Sequence, residues 1–139
     1  TLHMGLGHFR KVDVEDLSKH KMDSEQMTIT EETANLINST KAAGHKVFAV
    51  GITVIRALET PVTTKAEVKP YVGWTNKFIF PPYQFSVADA LVTNFHMPLS
   101  TMLMSVAAFG GFENVMNAYK VALKEGYQFG TYGDAMLVI

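Results

Sequence analysis

Residues 47–53 read Val47-Phe48-Ala49-Val50-Gly51-Ile52-Thr53, a continuous apolar run that opens onto a glycine. Such a run is typical of a strand that is buried on both faces. Residues 52–59 follow as a predicted helix with Thr53 near its start, and Pro61 ends it because proline cannot continue a helix. The succession of strand, glycine turn and helix predicts the beginning of a βαβ unit.

The rest of the chain continues this alternation of strands and helices. Thr28 and Glu31 fit a capping box, in which a hydroxyl and a carboxylate satisfy the first free amides of a helix, and Gly44 suits its end. Apolar residues at helical spacing make 112–123 the clearest amphipathic helix. The other predicted elements are strands at 27–30, 77–80, 88–95 and 135–139 and a helix at 98–109, with 62–72 irregular. This pattern predicts a layered α/β domain.

The composition is typical of one folded domain that spans residues 1–139. Hydrophobic residues make up 47% of the chain and charged residues 18%, below the ~25% that is usual, so we expect another part of a longer protein to cover some of its surface. The net charge of −1 excludes non-specific binding of a polyanion through a bulk positive field. The absence of cysteine excludes a disulfide scaffold and a thiol nucleophile. No secretory signal and no apolar run of about 20 residues is present, so no membrane partner is expected.

One segment combines polar groups at a place where ligands often bind. Thr93-Asn94-Phe95-His96-Met97-Pro98 places a hydroxyl, an amide and an imidazole between a predicted strand end and a predicted helix start. In open α/β sheets ligands bind at that edge, and the helix N-terminus adds free amides and a partial positive charge. Ser100 and Thr101 add two hydroxyl groups. The same residue types also serve as helix caps, so spacing alone leaves a ligand site and a structural turn equally open.

Other polar residues have a simpler structural interpretation. The five histidines lack the spacing of a helical zinc motif, so no metal site is predicted. Asp134 follows Tyr132-Gly133 in a predicted turn, where an aspartate usually accepts bonds from nearby amides. Arg56 and Glu59 lie three residues apart on a predicted helix, which favours an ion pair between them. Spacing therefore predicts a polar site near His96 without indicating a reaction.

Several short motifs nevertheless resemble, in the same order, those of the S-adenosylmethionine:tRNA ribosyltransferase-isomerase family of queuosine biosynthesis. The strongest is residues 90–101, which read Ala-Leu-Val-Thr-Asn-Phe-His-Met-Pro-Leu-Ser-Thr. The resemblance covers nearly the whole chain. The other matching motifs are Leu2-His3-Met4-Gly5-Leu6-Gly7, His20-Lys21-Met22-Asp23-Ser24-Glu25, Ala49-Val50-Gly51-Ile52-Thr53 with Arg56 and Leu58-Glu59, Phe78-Ile79-Phe80-Pro81-Pro82-Tyr83, and residues 116–120 and 132–136.

The resemblance implies a three-layer α/β/α, Rossmann-like domain that forms the C-terminal part of a larger two-domain enzyme, with a β-barrel domain upstream. The family transfers the ribosyl moiety of S-adenosylmethionine to 7-aminomethyl-7-deazaguanine in tRNA and isomerises it, giving epoxyqueuosine, adenine and methionine. S-adenosylmethionine is a consumed substrate here, so no cofactor is implied. The implied partners are S-adenosylmethionine, the precursor tRNA and the N-terminal part of the same protein, in the cytoplasm. We expect the 139-residue fragment alone to be inactive.

The chemistry of this family also implies roles for residues at the matching positions. The sulfonium acidifies its neighbouring C–H bond, so a base must remove that proton, and an imidazole titrates near the working pH. His96 is the expected proton-transfer group, with His3 as a second candidate. Asp134 and Glu25 complete the implied catalytic set, where they orient an imidazole or bind the edge of the deazaguanine. The implied substrate-binding residues are Thr93, Asn94, Phe95, Ser100, Thr101, Arg56, Tyr132 and Gly133.

Four positions depart from the family pattern. Ile52 stands in place of a threonine and lacks its hydroxyl, and Pro82 stands in place of a glycine and restricts the backbone. His8 replaces a threonine, and Asp23 replaces a histidine. These departures favour an alternative, a divergent paralogue that binds an S-adenosyl or nucleoside ligand without this activity. The low charge content leaves a self-association domain as a third interpretation.

Overall fold

The computed structural model describes all residues, 1–139. Two 3-10 helices, Leu6–Phe9 and Leu17–Lys19, precede the first strand. No helix combines the length and the apolar character that crossing a membrane requires. The strands are β1 (Glu25–Ile29), β2 (Phe48–Val50), β3 (Tyr71–Thr75), β4 (Ala90–Asn94) and β5 (Ala135–Val138), and the helices are α1 (Glu31–Ala42), α2 (Ile52–Leu58), α3 (Thr101–Gly110) and α4 (Phe112–Lys124).

A three-stranded sheet carries the elements that the sequence predicts most clearly. Its order is β2-β4-β5, with β2 parallel to β4 and β5 antiparallel to β4. Gly51 ends β2 at a φ of 99° and begins α2, a conformation that a residue with a side chain rarely adopts. The predicted succession of strand, glycine turn and helix is therefore confirmed, as is the mixed α/β class.

Helices cover one face of this sheet and leave the other face open. Ala49, Leu91 and Val138 form one hydrophobic cluster with inward residues of α2, α3 and α4. On the opposite face Phe48 and Val50 are 54% and 67% exposed. Alternate residues of a strand point to opposite faces, so the exposed apolar side chains form a surface without a helix layer in this chain.

A separate two-stranded sheet pairs β1 with β3 in antiparallel register and packs against α1 in a second hydrophobic cluster. The sequence predicts that residues 62–72 are irregular, and this is wrong for residues 71 and 72, which belong to β3. Val72 and Trp74 are 77% and 62% exposed, so the apolar residues of β3 lie on its outer face. The usual contrast between buried apolar and exposed polar residues, on which strand prediction depends, is absent there.

Two predicted helix starts and one predicted strand are also corrected. Thr30, not Thr28, caps α1, because Thr28 is paired with Val72 in the sheet and the Thr30 hydroxyl accepts the Thr33 amide at 3.2 Å. Helix α3 begins at Thr101 with Ser100 as its cap, not at residue 98. Residues 77–80 form no strand.

The carbonyls of this last segment bond to side chains and not to a neighbouring strand. Arg56 Nε donates to the Lys77 carbonyl at 2.8 Å, and Ser105 Oγ donates to the Ile79 carbonyl at 3.0 Å. The segment is thereby held between α2 and α3 without a ladder of strand hydrogen bonds.

The expected ion pair between Arg56 and Glu59 is not formed. Both side chains are buried, at 1% and 2% exposure, and bond to different partners. The Glu59 carboxylate accepts the amide protons of Ser86 and Val87 at 3.0 and 2.9 Å, and the Tyr83 hydroxyl at 3.2 Å. Burial and the Glu59 charge raise the pKa of Tyr83 to about 12, so the phenol keeps its proton.

We predict that Glu59→Ala lowers the free energy of unfolding by about 2–4 kcal/mol, because the buried amide of Val87 and the half-buried amide of Ser86 lose their acceptor. Urea denaturation measures the change. The matched control is Glu67→Ala at an exposed position, where a change below about 0.5 kcal/mol is expected. Equal stability of the two variants would contradict a structural role for the Glu59 carboxylate.

Candidate functional site

A cavity of about 400 Å³ opens where the parallel strands β2 and β4 end. The residues that follow β2 and those at the end of β4 meet there, because parallel strands end at the same edge of a sheet. Two further segments close the sides. The lining residues are Gly51, Ile52, Thr53, Thr93, Asn94, His96, Met4, Phe9, Met97, Met102, Gly130 and Thr131.

His96 is the titratable group in this lining, and it is held at both its backbone and its ring. Its backbone N–H donates to the Tyr119 hydroxyl at 2.9 Å, and its Nε2 lies 2.7 Å from Thr93 Oγ1. Burial, with a smaller contribution from the charge of His8, lowers the pKa of His96 to about 4. The imidazole is therefore neutral at neutral pH, and it can accept a proton there.

Tyr119 reaches His96 from α4 through a group of packed aromatic rings. Its ring centroid lies 5.2 Å from that of Phe95 and 5.7 Å from that of Phe129. Phe95 is 5% exposed and belongs to the hydrophobic core, so its ring does not line the cavity. The sequence presents Tyr119 as an apolar position of an amphipathic helix and as part of the matching motif 116–120, but neither signal identified its contact with His96.

A buried ionic cluster joins the N-terminal segment to α2. Arg56 Nη1 lies 2.7 Å from Glu25 Oε2 and 2.6 Å from His8 Nε2, and all three side chains are at most 4% exposed. Glu25 Oε1 also accepts the Gly5 amide at 2.8 Å. The cluster ties three distant parts of the chain together beneath the site.

The charges within this cluster follow from its contacts. Burial alone would raise the pKa of Glu25, but the bonds from Gly5 and Arg56 and the charges of His8 and Arg56 hold that pKa below its usual value. Burial and the adjacent Arg56 lower the pKa of His8 more than Glu25 raises it. At neutral pH the cluster therefore contains one cation, one anion and a neutral imidazole. His8 is a member of the cluster that the sequence analysis did not place in the site.

The residues expected at 132–134 organise a turn. Asp134 is exposed, and its Oδ2 accepts the Gln128 amide at 2.7 Å. A Cβ atom on Gly133 would clash with the Gln128 carbonyl, so only glycine fits. Asn94 Nδ2 donates to the carbonyls of Gly133 and Asp134, both at 3.2 Å, while the Tyr132 side chain is fully exposed. These bonds fix the loop that brings Gly130 and Thr131 to the cavity.

The remaining expected residues lie outside the cavity. His3 is exposed. Ser100 caps α3 by accepting the Leu103 amide at 3.1 Å. Thr101 is 2% exposed, and its Oγ1 has no hydrogen-bond partner. No group of three or more His, Cys, Asp or Glu side chains is arranged to hold a metal ion.

Three of the four departures from the family pattern touch the site or its support, and one of them is His8, which belongs to the buried ionic cluster. Ile52 is 4% exposed and forms part of both the core and the cavity wall. Asp23 pairs with Arg10 at 3.2 Å, and it packs so closely on Gly7 that a Cβ there would lie 2.6 Å from Asp23 Oδ2. Pro82 is exposed and does not line the cavity.

Comparisons with known proteins agree along the whole chain. A family model described as "Queuosine biosynthesis protein" matches residues 1–138. The S-adenosylmethionine:tRNA ribosyltransferase-isomerases of Bacteroides fragilis and Parabacteroides distasonis are 66% and 63% identical to it over all 139 residues. The chain spans 40% of the length of each of these relatives.

A solved structure extends the similarity to the fold. The crystal structure of S-adenosylmethionine tRNA ribosyltransferase from Thermotoga maritima superposes with a TM-score of 0.78 at 47% sequence identity. The superposition covers 83% of this chain and 40% of that one.

We predict that Arg56→Met lowers the free energy of unfolding by about 3–5 kcal/mol, because the Glu25 carboxylate stays buried without its cation. Urea denaturation of the variant measures the loss. Arg10→Met removes the partner of an exposed pair, 71% and 43% accessible, and should cost less than about 1 kcal/mol. Similar losses of stability in the two variants would show that the buried Arg56–Glu25 pair matters no more for folding than the exposed Arg10–Asp23 pair.

Proposed function

The chain belongs to the queuosine biosynthesis protein family, and we propose that it is part of an enzyme that modifies tRNA. The proposed enzyme transfers the ribosyl moiety of S-adenosylmethionine to 7-aminomethyl-7-deazaguanine in tRNA, isomerises it, and releases adenine and methionine. The observation that carries this proposal is 66% identity over the whole chain to a relative named S-adenosylmethionine:tRNA ribosyltransferase-isomerase.

We propose that residues 1–139 form one domain that works within a longer protein, since the chain spans 40% of its relatives. The open sheet face that includes Phe48 and Val50 supports this proposal. A sheet with apolar parallel strands usually has helices packed on both faces, so a second helix layer is expected to cover the open one. Covered in this way, the sheet becomes the middle of a three-layer, Rossmann-like domain. The β-barrel domain of the family belongs to the other part of that protein.

His96 is the proposed proton-transfer residue. In the tautomer with the proton on Nε2, the ring donates a hydrogen bond to Thr93 Oγ1 at 2.7 Å. The Nδ1 lone pair is then free to accept a second proton. The carbon beside the sulfonium supplies that proton. Because the pKa of His96 is about 4, the imidazolium formed is a strong acid for an imidazole, and it readily passes the proton to the departing adenine. A neutral imidazole also avoids repulsion with the sulfonium cation.

The other proposed site residues fall into three groups. Thr93 orients the imidazole, and Asn94 lines the cavity while holding the turn that contains Gly133 and Asp134. Glu25 bonds to the Gly5 amide and Arg56, so both charged residues position the segments around the cavity. The remaining members either support the fold or lie exposed on the surface. They are Phe95 in the core, Ser100 and Thr101 at the start of α3, and the exposed His3 and Tyr132.

The proposed reaction consumes S-adenosylmethionine as a substrate, so the site requires no resident cofactor. The partners are S-adenosylmethionine, the precursor tRNA and the remaining part of the same polypeptide. Because the precursor tRNA is a cytoplasmic molecule in bacteria, the proposed location is the cytoplasm.

The full-length protein should release adenine when it is incubated with S-adenosylmethionine and tRNA that carries the 7-aminomethyl-7-deazaguanine base. Chromatography of the free base and nucleoside analysis of the tRNA measure the two products. Release of neither product by folded protein would contradict the proposed function. Tight binding of S-adenosylmethionine without turnover would support the alternative, a paralogue that only binds.

His96→Gln should lower kcat at least about 100-fold while it changes the affinity for S-adenosylmethionine less than threefold, because glutamine can still bond to Thr93 but cannot accept a proton. His45→Gln, at an exposed position, is the matched control and should leave kcat unchanged.

The pH profile of the unmodified enzyme tests the same role. A residue can no longer act as a general base once it is protonated. Activity that depends on His96 should therefore fall only as the pH drops toward about 4. A decline centred near 6.5, the ordinary value for histidine, would contradict a lowered pKa of His96 in the working enzyme.

A further inference from the structure

A second cavity, of about 420 Å³, lies beside the His96 cavity. Residues 8–11 and 97–100 line it together with Met102. The backbone joins these two segments, because the Val12 amide donates to the Leu99 carbonyl at 2.8 Å and Lys11 forms a bridge with Ser100. The cavity is therefore built by paired segments of the fold and does not depend on a single loop.

The two cavities share a wall. Phe9, Met97 and Met102 line both of them. A molecule in one cavity would therefore touch some of the same side chains as a molecule in the other, so the two cavities adjoin. Adjoining cavities suit a reaction between two substrates, because the reacting atoms must come within about 3.5 Å of each other.

The chemistry of the second cavity differs from that of the first. Arg10 and Lys11 contribute two cations, and no carboxylate belongs to its lining, although Arg10 also meets Asp23 at 3.2 Å. Phe9 and Met97 beside them are each 61% exposed. Exposed aromatic and thioether side chains next to cations are suited to a nucleotide, whose base stacks and whose phosphate is anionic.

A buried polar group in the wall adds a point of recognition. His8 lines this cavity at 1% exposure, and its Nδ1 has no hydrogen-bond partner. Its Nε2 lies 2.6 Å from Arg56 Nη1 and 3.0 Å from Glu25 Oε2. Because a guanidinium can only donate, Nε2 accepts the shorter bond and the ring proton lies on Nδ1. A buried donor without an acceptor is rare, and a carbonyl or ring nitrogen of a base would satisfy it.

We propose that this cavity holds a nucleotide of the tRNA, with its base against Phe9 and Met97 and its phosphates at Arg10 and Lys11. The inference rests on the proposed function, and it assigns the S-adenosyl group to the neighbouring His96 cavity. The acceptor edge of the base faces His8. Phe9 and Met97, which line both cavities, then contact both the base and the sulfonium nucleoside.

The test compares variants of the full-length protein in two binding measurements. Fluorescence anisotropy with a labelled tRNA transcript, at several salt concentrations, reports on the nucleic acid, and calorimetry reports on S-adenosylmethionine. The double variant Arg10→Ala with Lys11→Ala should weaken tRNA binding at least tenfold and reduce the slope of log Kd against log salt concentration by about 1.5. Binding of S-adenosylmethionine should change less than twofold.

The charge-matched control is Lys65→Ala with Lys69→Ala, two exposed positions outside the cavity, which should change neither affinity. Phe9→Ala should weaken tRNA binding about tenfold without changing the salt slope, because it removes a stacking surface and no charge. Matching thermal unfolding curves show that each variant is folded.

Three results separate the possible outcomes. Weaker binding of S-adenosylmethionine with unchanged tRNA binding would overturn the proposal and assign the cavity to the S-adenosyl ligand. No change in either affinity would also overturn it. If the cavity variants lose tRNA binding while the unmodified protein releases no adenine, the nucleotide site stands and the proposed function fails.

Discussion

The parallel pairing of β2 with β4 is the constraint on which the candidate site depends. Because both strands end at one edge of the sheet, the turn at Gly51 and the segment from Thr93 to His96 are brought together although they are distant in sequence. The burial that accompanies this arrangement lowers the pKa of His96 to about 4 and fixes its charge state. The fold thus sets both the position of the imidazole and its protonation at neutral pH.

A second layer of interactions holds the surroundings of that edge in place. Arg56 of α2 bonds to Glu25 and to the Lys77 carbonyl, so α2 is joined to β1 and to the segment beneath α3. A buried ion pair contributes little net stability over an apolar pair, but loss of one partner is costly. The cluster therefore fixes how the N-terminal segment, which carries His8 and Phe9, lies against the two cavities.

The sequence predicts the local features of this molecule better than its long-range contacts. Strand β4 is predicted because its segment is apolar, and helix α4 is predicted because its apolar residues follow helical spacing. Strand β3 is not predicted, since Val72 and Trp74 face outward. The role of residues 90–101 is indicated by their resemblance to a family motif. The contacts that Arg56 makes with Glu25 and His8 span 31 and 48 residues, and no local pattern encodes such a distance.

A crystal structure of the full-length protein with a non-reactive S-adenosyl analogue would show where the S-adenosyl group binds. We expect the analogue to occupy the cavity at the ends of β2 and β4, with its sulfur centre beside His96. An analogue bound elsewhere, with that cavity empty, would contradict the assignment of this edge of the sheet as the site of the S-adenosyl group.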